Sequence, residues 1–191
     1  MNSPASTFSS NPLLATWTTP QGAPPFGEIA PAHFRPAFDR AFAAHDGEID
    51  AIANNPDAPT FDNTIVTLER AGSLLDQVSS VFHALAGAHT NNDLLAIERE
   101  MSPQIAAHWS RINLNDALFT RIDALWKERD RLSLTPEQAR VLERYHTNFR
   151  RAGAGLDATK KKRLSEITER LATIGTRFSQ NVLADEQSWT L

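Results

Sequence analysis

The sequence contains no cysteine among its 191 residues. Disulfide bonds, thiolate nucleophiles and cysteine-ligated metal centres are therefore all excluded within this chain. Any metal that these residues bind would need His, Asp or Glu as its ligands. The chain has six histidines, so their spacing decides whether a familiar metal motif is present.

The sequence also lacks a long apolar run and an early cluster of positive charge. No apolar stretch approaches the ~20 residues of a membrane-spanning helix. Residues 1–34 contain no Lys or Arg, so the positively charged start of a secretory signal is missing. The formal net charge is -4, which argues against a phosphate-backbone binder. We expect a cytoplasmic protein that binds neither membranes nor nucleic acid.

What is present is a globular composition with helical periodicity. Hydrophobic residues make up 41% of the chain, and a chain of this length buries roughly 70% of its unfolded surface. Period-2 alternation is absent, whereas apolar residues recur at steps of three and four. The sequence predicts an all-α fold with about six helices, several of them long, packed as an irregular helical bundle after a Pro-rich extended arm. One domain is the simplest expectation, and two helical halves are the alternative.

Residues 1–31 form the predicted arm. Repeated Pro blocks helical hydrogen bonding and biases the preceding residues toward extended backbone. Some side chains of the arm are too apolar for a freely solvated tail, and we expect them to pack along the body of the protein: Leu13, Leu14, Trp17, Phe26 and Ile29. Residues 32–191 are predicted to form the helical domain.

Three stretches carry helix start signals. In "PTFDNTIVTLERAG", residues 59–72, Thr60 or Asp62 can accept hydrogen bonds from the first amides of a helix that continues to Leu85. In "TPEQ", residues 135–138, Thr is the predicted cap of a helix that buries Leu142, Tyr145 and Phe149. Asp157 is the predicted cap of the last helix, whose apolar stripe is Leu164, Ile167, Leu171, Ile174, Phe178 and Val182.

The histidines do not form the His-Glu-x-x-His pentad of a hydrolytic zinc site. Glu143 and His146 have the Glu-x-x-His spacing of di-iron bundles, but that site needs a second copy and two further glutamates, which we do not find. We interpret the pair as solvent-exposed, and we interpret His45 with Glu48 in the same way. The remaining histidines are His33, His83, His89 and His108.

Two further features leave alternatives open. His83 and His89 flank the small residues "ALAGA"; they could line a groove, although a histidine near a helix C-terminus is the commoner arrangement. One concentration of positive charge could receive an acidic partner or a peptide carboxylate, although solvated surface is the commoner reading. It consists of Arg150, Arg151, Lys160, Lys161, Lys162 and Arg163.

Several ordered motifs resemble the N-terminal region of the zinc oligopeptidases. This family includes peptidyl-dipeptidase Dcp, oligopeptidase A and thimet oligopeptidase, and the peptidyl-dipeptidase branch is the most similar. The resemblance covers nearly all of residues 11–191. The motifs are "NPLL", "HFRPAFDRA", "EIDAIANNPDAPTFDNTIVTLERAG", "LAGAHTN", "LFTRIDALW", "FRRAGAGLD" and "LATIGTRFSQNVLADE".

The resemblance implies an enzyme that binds one zinc through His-Glu-x-x-His and a downstream Glu and removes C-terminal dipeptides from oligopeptides. In the family those residues lie downstream of the matched region. We therefore expect this chain to be the N-terminal helical domain of a longer enzyme, with no catalytic and no metal residue of its own. The resemblance also implies that the domain forms part of one side of a substrate channel, but the residues that bind substrate are not readable from the sequence.

The expected partners are short peptide substrates and the C-terminal catalytic domain of the same longer enzyme. Apolar surface that packs on that domain would be exposed here, and such patches promote association. The alternative hypothesis is a free-standing helical protein-binding module without enzymatic activity.

Overall fold

The computed structural model describes residues 11–189. These residues contain seven α-helices and no β-strand. The helices are α1 (Phe34–Ala53), α2 (Thr67–Arg70), α3 (Ser73–Ala88), α4 (Asn92–Asn113), α5 (Asp116–Glu128), α6 (Pro136–Arg151) and α7 (Ala158–Ser188). A π-helical turn, Phe61–Val66, runs directly into α2. The predicted all-α fold is confirmed, with six longer helices and one helix of a single turn.

The chain divides into two compact units. The first contains residues 11–46 and 72–100, and the second contains residues 47–71 and 101–189. The division passes through α1 and α4, so each of these helices contributes to both units.

In the first unit, residues of the predicted arm pack as the sequence indicates. Leu13 is fully buried, and its carbonyl accepts a hydrogen bond from Gln77 Nε2 at 2.9 Å. The Asn11 side chain donates to the His33 carbonyl at 2.9 Å, which holds this part of the arm near the start of α1. Phe26 is about half exposed, so the expectation that it packs is wrong. Residues 1–10 of the predicted arm lie outside the described residues.

The core of the first unit is built around aromatic rings from α1 and α3. Phe82 meets Phe34 edge to face at 5.1 Å between ring centroids and Phe38 at 5.6 Å. Such edge contacts place the positive rim of one ring on the negative face of another. Leu75 and Val78 continue the same buried side of α3.

In the second unit, α5 packs on α6 over a core that also includes residues of α1 and the turn 61–66. The side chains of Ile65, Leu118, Ile122 and Leu142 are fully buried there. Full burial of a Leu or Ile side chain contributes about 1.5–3 kcal/mol. Tyr145 is half-buried against this core, which is less than the full burial that the sequence predicts.

All three predicted cap residues are confirmed. Thr60 Oγ1 accepts from the Asn63 amide at 3.0 Å, Thr135 Oγ1 accepts from the Gln138 amide at 3.2 Å, and Asp157 Oδ1 accepts from the Lys160 amide at 2.9 Å. These bonds join residues only three positions apart, so the local sequence is enough to predict them.

The prediction of one continuous second helix, from residue 60 to Leu85, is wrong. The helix breaks at Ala71, whose backbone is extended, and Gly72, whose φ of 79° is left-handed. A Cβ added to Gly72 would lie 2.9 Å from Cε1 of the buried His45. The chain turns here because an imidazole from α1 occupies the space beside this glycine.

The turn between α6 and α7 also requires a glycine. Gly153 has a φ of 100°, and a Cβ there would lie 2.7 Å from Leu164 Cδ2. The Gly153 amide donates to the Arg150 carbonyl, and the next amide donates to Phe149. The turn therefore ends α6 and places the first turns of α7 against it.

Candidate functional site

The Glu-x-x-His pair of α6 does not act as a unit. Glu143 accepts from Arg140 Nη1 at 2.7 Å, whereas His146 is buried and its Nε2 lies 3.1 Å from Asp123 Oδ1. Trp126 stacks on the His146 ring at 4.8 Å between centroids. The prediction that the pair is solvent-exposed is wrong for His146, because α5 supplies both the stacking ring and the carboxylate.

Asp123 links this histidine to the surface. Its other oxygen, Oδ2, lies 2.6 Å from Lys127 Nζ. The hydrogen bond from Lys127, with a smaller contribution from His146, lowers the pKa of Asp123 below its usual 3.8. The carboxylate is thus ionised at neutral pH and is suited to holding the imidazole in place.

His45 is buried in the first unit, so its interpretation as half of an exposed pair is also wrong. Glu48 is exposed. The cause is again tertiary, since Gly72 leaves room for the His45 ring at the break between α2 and α3.

His83 and His89 are both exposed. His83 Nδ1 lies 2.8 Å from the Ser79 carbonyl within α3, and His89 follows directly after α3, where its amide donates to the Leu85 carbonyl. The commoner arrangement, a histidine near a helix C-terminus, therefore describes His89.

The basic cluster is divided by the fold. Lys161 is buried, and its ammonium donates to the Leu114 carbonyl at 3.1 Å and to the Asp116 carboxylate. Lys160 pairs with Asp157 at 2.8 Å. Lys161 therefore fastens the start of α7 to the start of α5, and it is not part of a free basic surface.

Residues 11–189 contain no group of three His, Asp or Glu side chains that could hold a metal ion. Within the same range, no helix is both long and apolar enough to cross a membrane.

Arg121 is a buried charged residue with a structural role that was not predicted from the sequence. Its Nη1 donates to the carbonyls of Asn55 at 2.9 Å and Asp57 at 3.0 Å, and its Nη2 donates to Asn63 Oδ1 at 3.0 Å. The signal was present in the sequence, because Arg121 occupies the apolar side of α5 between Leu118 and Ile122. Its role is to hold the loop before the turn 61–66.

A shallow groove lies between the segment 61–70 and α6. Its walls include Glu69, Val141, Arg144 and Tyr145. Burial and a hydrogen bond with Glu69 raise the pKa of Tyr145 well above its usual 10.0. The phenol therefore stays neutral across the physiological range, which suits it to hydrogen bonding rather than to proton transfer.

Most of the exposed large apolar side chains among residues 11–189 lie on one side of α7, which we call the α7 stripe. Its side chains are unusually open for their size: Phe178 is 69% exposed and Leu171 is 63% exposed. Trp189 extends the same side beyond the last turn and is 68% exposed. The full α7 stripe consists of Ile167, Leu171, Ile174, Phe178, Val182 and Trp189.

The α7 stripe is the candidate functional site because an apolar surface of this size is costly to leave in water. The first turns of α7 are held by Lys161 and Leu164, and the stripe begins just beyond them. Trp109 of α4 is also exposed and lines a depression with Leu164 and Thr168 beside the start of the stripe. Contiguous exposed patches of this kind mark interaction sites.

Comparison with known proteins indicates the kind of protein in which the α7 stripe occurs. The chain matches no protein-family model. It is 43% identical over 177 residues to the dipeptidyl carboxypeptidase of Salmonella typhimurium and 42% identical over 178 residues to that of Escherichia coli. Each match covers 93% of this chain and 26% of the relative.

A more distant relative agrees with these two. The chain is 27% identical over 180 residues to oligopeptidase A of Haemophilus influenzae, covering 94% of this chain and 26% of that protein. The chain thus spans about a quarter of the length of the relatives it matches. These similarities confirm the resemblance that the motifs carry: the chain corresponds to an N-terminal region of the dipeptidyl carboxypeptidase and oligopeptidase A family.

Proposed function

We propose that this chain is the N-terminal helical domain of a longer zinc-dependent peptidyl-dipeptidase, which removes C-terminal dipeptides from oligopeptides in the cytoplasm. The observation that carries the proposal is the 43% identity to a dipeptidyl carboxypeptidase over 177 residues. That match covers 93% of the chain, so it extends far beyond the individual motifs.

In this proposal the chain has a structural and substrate-limiting role. Residues 1–31 are the arm, residues 32–191 are the helical domain, and together they form part of one side of the substrate channel. Long packed helices suit a channel wall because they present a stiff rim that admits short peptides and excludes folded proteins. The zinc and the catalytic residues lie outside this chain, which has neither nucleic acid nor membrane as a partner.

A paired peptidase assay tests the proposal. The 191-residue chain and the longer product of its gene are incubated with short peptides, with and without a zinc chelator. We expect the longer product to release C-terminal dipeptides in a chelator-sensitive way and the 191-residue chain to release none. Activity of the short chain, or inactivity of a folded and zinc-loaded longer product, would contradict the assignment.

The second candidate is a free-standing helical protein-binding module. The exposed α7 stripe favours it, because a binding module must present such a surface. The two candidates differ in the gene: a reading frame that continues past Leu191 into a His-Glu-x-x-His pentad supports the enzyme, and a stop codon there supports the module.

A further inference from the structure

The α7 stripe has the spacing of a helix-pairing seam. Starting from the half-buried Leu164, its residues follow at intervals of three, four, three and four through Ile167, Leu171, Ile174 and Phe178. This is the a and d pattern of a heptad repeat, which places side chains on the side of a helix that faces another helix. At 100° per residue the stripe occupies a sector about 80° wide, which matches the width of one partner helix.

The two flanks of the stripe differ in charge. Arg163, Arg170 and Arg177 are seven residues apart and form a row along one flank, where all three are exposed. Arg163 contacts Glu166 at 3.3 Å. The other flank carries Thr168 and Gly175, which are small and uncharged, and Glu186 follows on the same flank near the end of α7. In the middle of the stripe a partner would therefore meet positive charge on one side only, and its backbone could approach closely on the other.

The opposite side of α7 is less open than the stripe. The half-buried positions in this region lie away from the stripe, and all but Leu183 are small or polar. They include Ser165, Glu169, Ala172, Thr176, Gln180 and Leu183. The helix therefore presents its apolar side outward, the reverse of the arrangement expected when an amphipathic helix packs on its own core.

A second copy of α7 does not satisfy this pattern. In an antiparallel pair of identical helices, the arginine rows would lie against each other. In a parallel pair, each row would face the uncharged flank of Thr168 and Gly175. In either arrangement the carboxylates near the end of α7, Asp185 and Glu186, lie away from Arg170 and Arg177. Charge complementarity along these two arginines therefore favours a different helix.

The relatives indicate where such a helix comes from. Each is about four times as long as this chain, because the match covers 26% of its length. The region matched in them is N-terminal, so most of their polypeptide follows the part that corresponds to α7. The stripe continues to Trp189, and in the relatives the corresponding region is followed by the greater part of the polypeptide.

We propose that the α7 stripe is the docking surface for an amphipathic helix of the polypeptide that follows residue 191 in the longer protein, and that this helix carries Asp or Glu beside its apolar seam. The inference rests on the proposed function, because it needs the longer polypeptide. It adds to that function the surface through which the two parts meet and the charge of the partner.

Site-specific thiol labelling tests the inference, because the chain has no native cysteine. Leu171→Cys places a thiol on the stripe, and the control Thr173→Cys places one about 200° around α7 on the opposite side. Both positions are exposed in this chain. Each variant is made in the 191-residue chain and in the longer gene product, and maleimide labelling is followed on the α7 peptide by mass spectrometry.

In the 191-residue chain, at concentrations where it is monomeric, we expect both thiols to react at similar rates. In the longer product we expect the thiol of Leu171→Cys to react at least about ten times more slowly than in the 191-residue chain. The thiol of Thr173→Cys should react at the same rate in both. Equal rates for the two variants in the longer product would overturn the inference, as would a gene that ends at residue 191.

The labelling and the peptidase assay separate the two proposals. If the longer product cleaves peptides but both thiols react freely, the proposed docking surface is wrong and the proposed function stands. If the Leu171→Cys thiol is protected in a product without peptidase activity, the proposed docking surface stands and the proposed function is wrong.

The charge of the partner has its own test. Arg170→Glu combined with Arg177→Glu, made in the longer Leu171→Cys protein, should raise the labelling rate about fivefold through the loss of two ion pairs. The control is Lys162→Glu, which reverses a charge on the opposite side of α7. An unchanged rate in the double variant, or an equal rise in the control, would overturn the acidic flank of the partner.

Discussion

Arg121 lies on the apolar side of α5, where a charged side chain is costly unless its donors are satisfied. Its guanidinium donates to two carbonyls of the loop that precedes the turn 61–66 and to the Asn63 side chain within that turn, while its buried Nε has no hydrogen-bond partner. The charge is thus used to hold this loop and the turn against α5. One residue of α5 determines the shape of a segment about 60 residues earlier in the chain.

We expect Arg121→Met to lower the free energy of unfolding by roughly 2–4 kcal/mol, because three acceptors lose a charged donor. Urea unfolding followed by far-ultraviolet circular dichroism measures the change. Arg140→Met is the control, since Arg140 makes an exposed pair with Glu143 and its loss should cost about 0.5 kcal/mol or less. Equal losses in the two variants would contradict a structural role for Arg121.

Tyr145 is the only tyrosine of the chain, so its ionisation can be observed directly. Its pKa is raised by burial and by the hydrogen bond with Glu69. A raised pKa in the folded state means that the neutral phenol stabilises the fold. This stabilisation is complete below the unfolded value of 10.0 and is lost as the pH rises through the folded value.

We therefore expect the tyrosinate absorbance of the folded chain to appear well above pH 10.0. Glu69→Gln should move this titration toward lower pH, because the nearby negative charge is removed. Glu137→Gln is the control, since Glu137 lines the adjoining part of the groove and is not among the causes of the shift. A titration that does not move in Glu69→Gln would contradict the contact.

At the scale of elements, the break between α2 and α3 depends on Gly72. Any residue with a Cβ would be strained by the φ of 79° and would meet the His45 ring at 2.9 Å. The apolar spacing runs through this point and favours continuation, whereas glycine is a weak helix former and commonly ends a helix. The close fit of a ring from α1 adds to the preference of Gly72 for the break.

We expect Gly72→Ala to destabilise the protein by about 1–3 kcal/mol. Gly47→Ala is the matched control: Gly47 lies inside α1, and a Cβ there meets nothing within 4 Å. That change should stabilise by about 0.5–1 kcal/mol. Thermal unfolding measures the stability of both variants against the original protein. A Gly72→Ala protein as stable as the original would show that the turn tolerates a side chain.

At the scale of elements, prediction from sequence succeeds where the determining groups are close in the chain. Thr60, Thr135 and Asp157 each cap an amide three residues later, and this spacing is visible in the sequence. His146 was misjudged because its partners, Asp123 and Trp126, come from α5. Lys161 was misjudged for the same reason, since Asp116 and Leu114 lie more than 40 residues earlier.

At the scale of the whole molecule, the α7 stripe is the feature that governs behaviour in solution. α7 has 31 residues and is about 46 Å long at 1.5 Å per residue. Exposed apolar side chains recur on one side from Ile167 to Val182, and Asp185 separates them from Trp189. In the absence of a partner, such a surface favours association between copies, although identical helices place no carboxylate opposite Arg170 and Arg177.

We expect the 191-residue chain to be folded and helical and to self-associate weakly as its concentration rises. Leu171→Asp combined with Phe178→Asp should abolish the association, because charges on the stripe must be desolvated in a contact. The control, Thr173→Asp with Gln187→Asp, changes exposed positions on the opposite side of α7. Sedimentation equilibrium compares the three proteins, and a strictly monomeric chain at high concentration would count against a large apolar interface.

The sequence by itself determined the helices, their caps, the absence of thiol chemistry and the family resemblance, because these depend on neighbouring residues or on residue order. The tertiary structure decided which charged and imidazole groups are buried, where the second helix breaks, and which apolar stripe is left without a cover. Those outcomes depend mainly on side chains that are distant in sequence and meet only after folding, so local patterns such as Gly72 or the position of Arg121 in α5 indicate them only in part.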